Sequence, residues 1–169
     1  MFEFVNKGAV LRLAHSSGGV NRNLDFWRMN TALNDYFEAH LNQLLTGTRM
    51  PLATNSVGPW RGSGVYLIWE EGTPVFVETT EDIVPEFRAL RTDADHPLRA
   101  ALRTYRLAEL PAFRRRGSPD RELERLLLDN FECTFVAVEA GRLEVRERLV
   151  RRVAPRYNCL ERGRLDAHE

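Results

Sequence analysis

Apolar and polar residues alternate along this chain with two periods, one typical of strands and one typical of helices. Apolar, β-rich runs at residues 65–69 and 74–77 flank a short loop that contains Gly72, and this pattern predicts a β-hairpin. Residues 131–139 are a third apolar run of strand length. Residues 1–15 hold two further apolar runs around a turn sequence able to adopt positive φ, so we expect a second hairpin there.

Helical periodicity dominates the segments between these strands. Apolar residues recur at helical spacing from Phe26 to Leu44, and Gly47 follows where a C-terminal cap is expected, so we predict one long amphipathic helix. The stretch 48–60, with two prolines and a glycine, predicts a linker. Start and stop signals predict four shorter helices: one capped by Thr79 or Thr80, one opened by Asp95, His96 and Pro97, one from Ser118 through Asp129, and one from Gly141 to Pro155.

Composition places the chain among globular proteins. Its 169 residues are 43% hydrophobic, which suits one domain with an extension. No apolar run approaches the roughly 20 residues that span a bilayer, and the first residues lack the pattern of a signal peptide, so we expect no membrane association. Cys133 and Cys159 have no C-x-x-C spacing, which indicates free thiols in a reducing cytoplasm.

Charge excludes a uniformly basic nucleic-acid binder, because 24 Lys and Arg residues balance 24 Asp and Glu residues. The basic residues are nonetheless clustered, and nearly all of them are arginine, whose guanidinium suits phosphate recognition. A GC-rich coding sequence produces the same arginine usage, and a solvated helix surface is the commoner role of such clusters. The arginines that would otherwise bind nucleic acid are Arg99, Arg103 and Arg106 on one helix face, Arg114, Arg115 and Arg116 in a loop, and Arg148, Arg151 and Arg152 on the last helix.

Two short motifs mark the hairpin and the last helix. The hairpin begins with Gly-Val-Tyr at residues 64–66, a second strand follows about ten residues later, and the last helix ends in Pro-Arg-Tyr-Asn at residues 155–158. This arrangement resembles the GIY-YIG nuclease superfamily over about residues 60–160. The resemblance implies an α/β (α+β) fold with a small three-stranded antiparallel sheet flanked by helices. It leaves residues 1–59 as an N-terminal hairpin and helix extension, loosely similar to the Eco29kI-like branch of restriction endonucleases, and residues 161–169 as a tail.

The resemblance also implies a chemistry, the hydrolysis of a DNA phosphodiester bond. In this superfamily a tyrosine and a water act at the scissile phosphate, an arginine stabilises the developing charge and a glutamate holds a divalent metal. Tyr66 matches the tyrosine, and Asn158 matches the terminal asparagine of the pattern. Three positions depart from it: Phe76 replaces the second-motif tyrosine, Glu86 replaces the arginine and Arg146 replaces the metal-binding glutamate.

The substitution at the metal position has the largest chemical consequence. A guanidinium has no lone pair to offer a cation, so Arg146 cannot bind the metal. Glu147 and Arg88 lie one and two residues from the family positions and serve only if the site is displaced. Glu78 also stands where the second motif has glycine. Because an arginine position has become glutamate and a glutamate position arginine, we predict that Glu86 and Arg146 form an ion pair in the former site.

Purely structural roles account for the same residues. Tyr66 can be a packing residue with its hydroxyl at the rim of the core, and Phe76 is then simply part of that core. Asn158 can pin a turn through side-chain hydrogen bonds. The four histidines show no ligand spacing with Cys, Asp or Glu, so we predict no zinc site.

Three functions are compatible with the sequence. We favour a GIY-YIG-like domain with a degraded nuclease site, acting without a cofactor as a binding or scaffolding protein associated with nucleic acid, DNA in the first place. The first alternative is an active Mg²⁺-dependent endonuclease with a displaced site that uses Tyr66, Arg88, Glu147 and Asn158. The second is a protein-interaction subunit without nucleic-acid contact, in which the long N-terminal helix binds a partner or a second copy.

Overall fold

The computed structural model describes residues 22–54, 57–106 and 119–158, and the hairpin predicted in residues 1–15 lies outside them. Side chains are described from residue 29 onward and, after the second gap, from residue 120 onward. The elements in chain order are α1 (Arg22–Thr46), β1 (Met50–Pro51), β2 (Gly64–Glu70), β3 (Thr73–Thr80), α2 (Ile83–Thr92), α3 (Pro97–Tyr105), α4 (Pro119–Asn130), β4 (Phe131–Ala137) and α5 (Arg142–Val153).

A four-stranded antiparallel sheet in the order β1-β4-β2-β3 forms the centre of the fold, which confirms the predicted α+β class. β2 pairs with both β3 and β4 from Gly64 to Glu70. The prediction of three strands missed β1, whose Met50 pairs with Cys133 of β4. β1 is two residues long and lies in the stretch predicted as a linker, because so short a strand has no readable period.

Helices cover both faces of the sheet, so that all seven residues of β2 are buried. On one face, Val65 and Leu67 pack with residues of α1 and α5. On the other face, Tyr66 and Ile68 pack with residues of α2, α3 and α4. Successive residues of a strand point to opposite faces, so neighbours in the β2 sequence belong to different halves of the core. Burial on both faces also explains why β2 is continuously apolar.

The helices follow the predicted order, with small shifts at their ends. α1 ends directly before the predicted cap Gly47. The cap of α2 is Asp82 and neither Thr79 nor Thr80, because the Asp82 carboxylate accepts a hydrogen bond from Val84 N. The Thr80 hydroxyl instead bonds the backbone of Asp82. Within the described ranges, none of these helices is long and apolar enough to cross a bilayer.

Candidate functional site

Tyr66, the tyrosine of the first motif, lies within β2 and is completely buried. Its hydroxyl donates a hydrogen bond of 2.7 Å to Oε1 of Glu86 on α2. Glu86 occupies the position where the superfamily pattern has arginine. The structure therefore brings together one matching and one substituted motif residue in a direct contact.

His96 completes this cluster, and no pattern along the chain relates it to Tyr66 or Glu86. As the N-cap of α3, its Nδ1 accepts a hydrogen bond from Leu98 N at 3.1 Å. A ring nitrogen that accepts carries no proton, so the proton of the neutral ring lies on Nε2, which donates to Glu86 Oε1 at 3.0 Å. The distance from Tyr66 Oη to His96 Nε2 is 3.4 Å. The signal in the sequence was only local, a histidine directly before Pro97 at a helix start.

The electrostatics of the cluster keep the carboxylate charged and the phenol neutral. The hydrogen bond from His96, followed by that from Tyr66, holds the pKa of Glu86 below its usual value despite partial burial. Burial, followed by the Glu86 charge, raises the pKa of Tyr66 well above its usual value. Tyr66 is therefore a proton donor to Glu86 at neutral pH and not a phenolate.

The surroundings of Tyr66 are largely apolar. Phe76 pairs with Ile68 across β2 and β3, and its ring centroid lies 6.3 Å from that of Tyr66 and 6.1 Å from that of His96. Phe76 packs in the core and offers no hydroxyl where the superfamily pattern has tyrosine. Cys133 is a buried free thiol, and burial raises its pKa, so it is not a reactive nucleophile.

Arg146 on α5 binds a second carboxylate, that of Glu78. Glu78 lies opposite Tyr66 in the β2–β3 pairing. Nη2 of Arg146 donates a hydrogen bond to Glu78 Oε2 at 3.0 Å, and Nε lies 2.9 Å from Oε1 in an ion-pair contact. Neither contact is the predicted pair of Glu86 with Arg146, which stays a prediction.

Asn158 pins the chain after α5 to the edge of the sheet. Its Oδ1 accepts from Val77 N and its Nδ2 donates to Val77 O, both at 2.8 Å, as the backbone of a neighbouring strand would. Tyr157 N donates to Val75 O at 2.9 Å. β3 is an edge strand, so these contacts cover backbone groups that would otherwise be open for pairing. The structural role that the sequence suggested for Asn158 thus accounts for both of its polar atoms.

Packing between strands explains the glycine at position 64 without any catalytic role. A Cβ atom at this position would lie 2.2 Å from Val136 O and 2.6 Å from the ring of Phe135. Both atoms belong to β4, which pairs directly with β2 here. The glycine of the first motif therefore permits the close approach of these two strands.

Arg88 and Glu147, the two residues particular to the displaced site, face solvent. Arg88 is exposed on α2. The side chain of Glu147 is 62% exposed, and Nη2 of Arg151 lies 3.7 Å from its carboxylate. Within residues 29–54, 57–106 and 120–158, no three His, Cys, Asp or Glu side chains are grouped so that they could hold a metal ion.

The prediction that the α3 arginines share one solvated face is wrong. Arg99 is buried, with 3% of its surface exposed, and donates to a backbone carbonyl at the end of α2. Arg103 bonds Asp120 of α4 at 2.6 Å, and Arg106 bonds Glu70 of β2 at 2.9 Å. These side chains connect α3 to neighbouring elements, because each finds a carboxylate or carbonyl across the packed interface.

The arginines of α5 serve partly in packing. Arg148 donates to Asn34 of α1 at 2.8 Å, and Arg152 donates to Glu38 of α1 at 2.9 Å. Both contacts help to dock α5 on α1. The predicted basic loop at residues 114–116 lies outside the described residues, so a continuous surface of all three arginine groups stays a prediction.

Comparison with known proteins gives similarity at the level of structure. No family model and no curated protein sequence matches the chain. Three solved structures of the GIY-YIG N-terminal endonuclease domain of UvrC from Thermotoga maritima, each a point mutant bound to its catalytic divalent cation, match it with TM-scores of 0.35, 0.32 and 0.32. Their sequence identities to this chain are 12%, 13% and 14%. The first match covers 57% of this chain and 81% of the solved structure. The other two each cover 71% of this chain, and they cover 94% and 96% of the solved structures. The finer likeness to Eco29kI-like enzymes stays a prediction. At these TM-scores and identities the likeness to the UvrC domains is weak, and the GIY-YIG resemblance rests on the sequence motifs.

Proposed function

We propose that this chain is a GIY-YIG-like domain with a degraded nuclease site, which binds nucleic acid, DNA in the first place, without cleaving it. The observation that carries the proposal is the state of Tyr66, whose buried hydroxyl donates to Glu86 at 2.7 Å. A catalytic group must come within hydrogen-bond reach of the atom on which it acts. The hydroxyl of Tyr66 is enclosed by protein and already has an acceptor.

The position of the Tyr66 proton supports the same conclusion. A phenol and a carboxylic acid ordinarily differ by about six pKa units, so moving the proton to Glu86 would cost about 8 kcal/mol. In this cluster the pKa of Tyr66 is raised and that of Glu86 is lowered, which widens the gap. Tyr66 is therefore unsuited to act as a nucleophile or a general base.

A divalent cation does not fit the residues at the motif positions. Mg²⁺ binds carboxylate and water oxygens, whereas Arg146 brings a positive charge to the position of the metal-binding glutamate. Glu78 is engaged with that charge at 2.9 Å. Oε1 of Glu86 is occupied by the hydrogen bonds from Tyr66 and His96. These positions favour binding over metal-dependent hydrolysis.

A paired cleavage and binding assay tests this proposal. We expect plasmid and single-stranded DNA to stay intact when the purified protein is added with Mg²⁺ or Mn²⁺. Fluorescence anisotropy of a labelled oligonucleotide should show binding that weakens steeply with salt, since arginine–phosphate contacts release counterions. Metal-dependent cleavage that is lost in Glu147→Gln, but not in the exposed control Glu124→Gln, would instead support the displaced nuclease site.

A second candidate function, protein association, is favoured by one observation on α1. Met29, Leu33 and Tyr36 are 58%, 48% and 36% exposed and follow each other at the i, i+4 and i+7 positions of one helix face. A continuous apolar stripe on a helix is a common binding surface for another protein.

Light scattering after size-exclusion chromatography tests the association of copies. If the stripe holds two copies together, Leu33→Glu should convert a dimer to a monomer, whereas Asn30→Glu, on the same helix, should not. A salt-insensitive complex without any oligonucleotide binding would favour this candidate over the first. A monomer at all concentrations contradicts self-association.

A further inference from the structure

A cleft of about 320 Å³ lies between the β2–β3 turn and the end of α5. It is separate from the Tyr66 cluster and is formed where the last residue of β2, the residue after α3 and the tail after α5 meet. The charged and polar residues that line it are Glu70, Glu71, Thr73, Arg106 and Arg156.

Glu70 is buried beneath the cleft surface and binds both of the arginines that line the cleft. The side chain is 6% exposed. Its Oε1 accepts from Arg106 Nη2 at 2.9 Å, and its Oε2 accepts from Arg156 Nη2 and from the hydroxyl of Tyr157. Both carboxylate oxygens are thus engaged by donors, and the single charge of Glu70 offsets only one of the two guanidinium charges.

The two guanidinium groups are held in place while remaining accessible. The side chains of Arg106 and Arg156 are 33% and 52% exposed. The guanidinium of Arg156 also lies 4.6 Å from the ring centroid of Tyr157, a cation–π contact that restricts it further. The guanidinium of Arg156 has five N–H donors, and Glu70 and Tyr157 accept from its Nη2. Groups positioned in advance lose little conformational entropy when they bind an anion.

We propose that this cleft binds a phosphate group of a nucleic-acid backbone through Arg106 and Arg156, an inference that rests on the proposed function. Arginine forks match the geometry of phosphate oxygens. Glu71, exposed at the rim, opposes the anion. Its charge makes the site weak for a free phosphate and suited to a strand that makes further contacts elsewhere.

The test measures oligonucleotide affinity of the full chain by fluorescence anisotropy at several salt concentrations. Arg156→Gln should weaken binding about three- to tenfold, the worth of one partly exposed charge-assisted contact, and lower the salt slope by about one. Arg156→Lys, which keeps the charge beside Glu70 but loses the fork, should lie between this variant and the wild type. Glu71→Gln should tighten binding. Arg125→Gln is the matched control, because Arg125 is 75% exposed on α4 and does not line the cleft.

In a second experiment, inorganic phosphate is added to the full chain, and the backbone amide signals of Glu71 and Thr73 are followed by NMR. If the wild type binds oligonucleotide but Arg156→Gln binds equally tightly with the same salt slope, the cleft inference is overturned and the proposed function stands. If phosphate shifts these amides but no oligonucleotide binds, the nucleic-acid source of the phosphate and the proposed function are overturned together. If neither ligand binds, the cleft is not an anion site.

Discussion

Arg146 of α5 forms an ion pair with Glu78 of β3, with 2.9 Å from Nε to Oε1 and a hydrogen bond of 3.0 Å from Nη2 to Oε2. Both residues are departures from the GIY-YIG pattern: Glu78 stands where the second motif has glycine, and Arg146 where it has the metal-binding glutamate. The two departures therefore compensate each other in charge. The carboxylate of Glu78 neutralises the positive charge of Arg146.

A double-mutant cycle should show that this pair stabilises the fold. Both side chains are only about one-fifth exposed, so we expect Glu78→Gln and Arg146→Gln each to lower the free energy of unfolding by about 1–2 kcal/mol, with a coupling energy of about 1 kcal/mol. Urea unfolding measures these values. The exposed pair Arg125–Asp129 is the control and should couple by less than about 0.5 kcal/mol. Additive single-mutant effects would show that the contact between the two side chains contributes nothing. The same cycle with Glu86→Gln tests the predicted Glu86–Arg146 pair.

Asn158→Ala should cost about 2–3 kcal/mol of unfolding free energy. The variant removes two buried hydrogen bonds and leaves Val77 N and O without their side-chain partner. Asn158→Asp should also destabilise, because a carboxylate cannot donate to Val77 O. Asn42→Ala, at an exposed site on α1, should change stability by less than about 0.5 kcal/mol. Equal effects at the two positions would mean that the tail is not pinned through Asn158.

Gly64→Ala should destabilise the protein by about 3 kcal/mol, because the new Cβ meets Val136 O at 2.2 Å and backbone cannot move aside cheaply. Gly62 provides a contrasting control. It has a φ of +75° and open space around it, so Gly62→Ala should cost only about 1 kcal/mol of backbone strain. Thermal or urea unfolding compares the two variants. A smaller loss at Gly64 than at Gly62 would refute the close-packing explanation.

Stability should depend on pH through Tyr66 and Glu86 in opposite directions. The folded pKa of Glu86 is lowered from 4.5, so its contribution is present above that pH and is lost as the pH falls toward the folded value. The folded pKa of Tyr66 is raised above 10.0, so its contribution is present below pH 10 and is lost as the pH rises. In a plot of unfolding free energy against pH, Tyr66→Phe should therefore lose less stability at alkaline pH than the wild type. It should also lose less stability at acid pH, because Glu86 no longer accepts the hydrogen bond from Tyr66. Tyr105→Phe, at a 41% exposed position, serves as the control.

An ultraviolet titration provides an independent check of Tyr66. The difference between wild type and Tyr66→Phe should contain no ionisation step near pH 10 while the protein is folded. A normal step at that pH would contradict the burial and hydrogen bonding of the hydroxyl.

Local sequence patterns were enough to predict the fold class and the order of all elements except β1. The apolar runs of β2, β3 and β4, and the helical spacing of α1, are local patterns whose periods can be read without knowing any neighbour. The start of a helix was predicted less well where two residues could cap it, as Thr80 and Asp82 could cap α2. Which of them does so depends on a hydrogen bond from Val84 N. β1 was missed because its two residues become a strand only by pairing with β4.

Which charged groups contact each other depends on the tertiary structure. His96 joins Glu86 because capping α3 turns its Nε2 toward α2, and nothing in the linear sequence relates these roles. Arg99 is buried although its helical spacing matched an exposed face. Such contacts depend on strand register and helix docking at the scale of a hydrogen bond, about 3 Å, whereas sequence periodicity specifies only the face of an element. The strands and helices that carry the motifs were therefore predictable from the sequence, and the contacts among Tyr66, Glu86 and His96 were not.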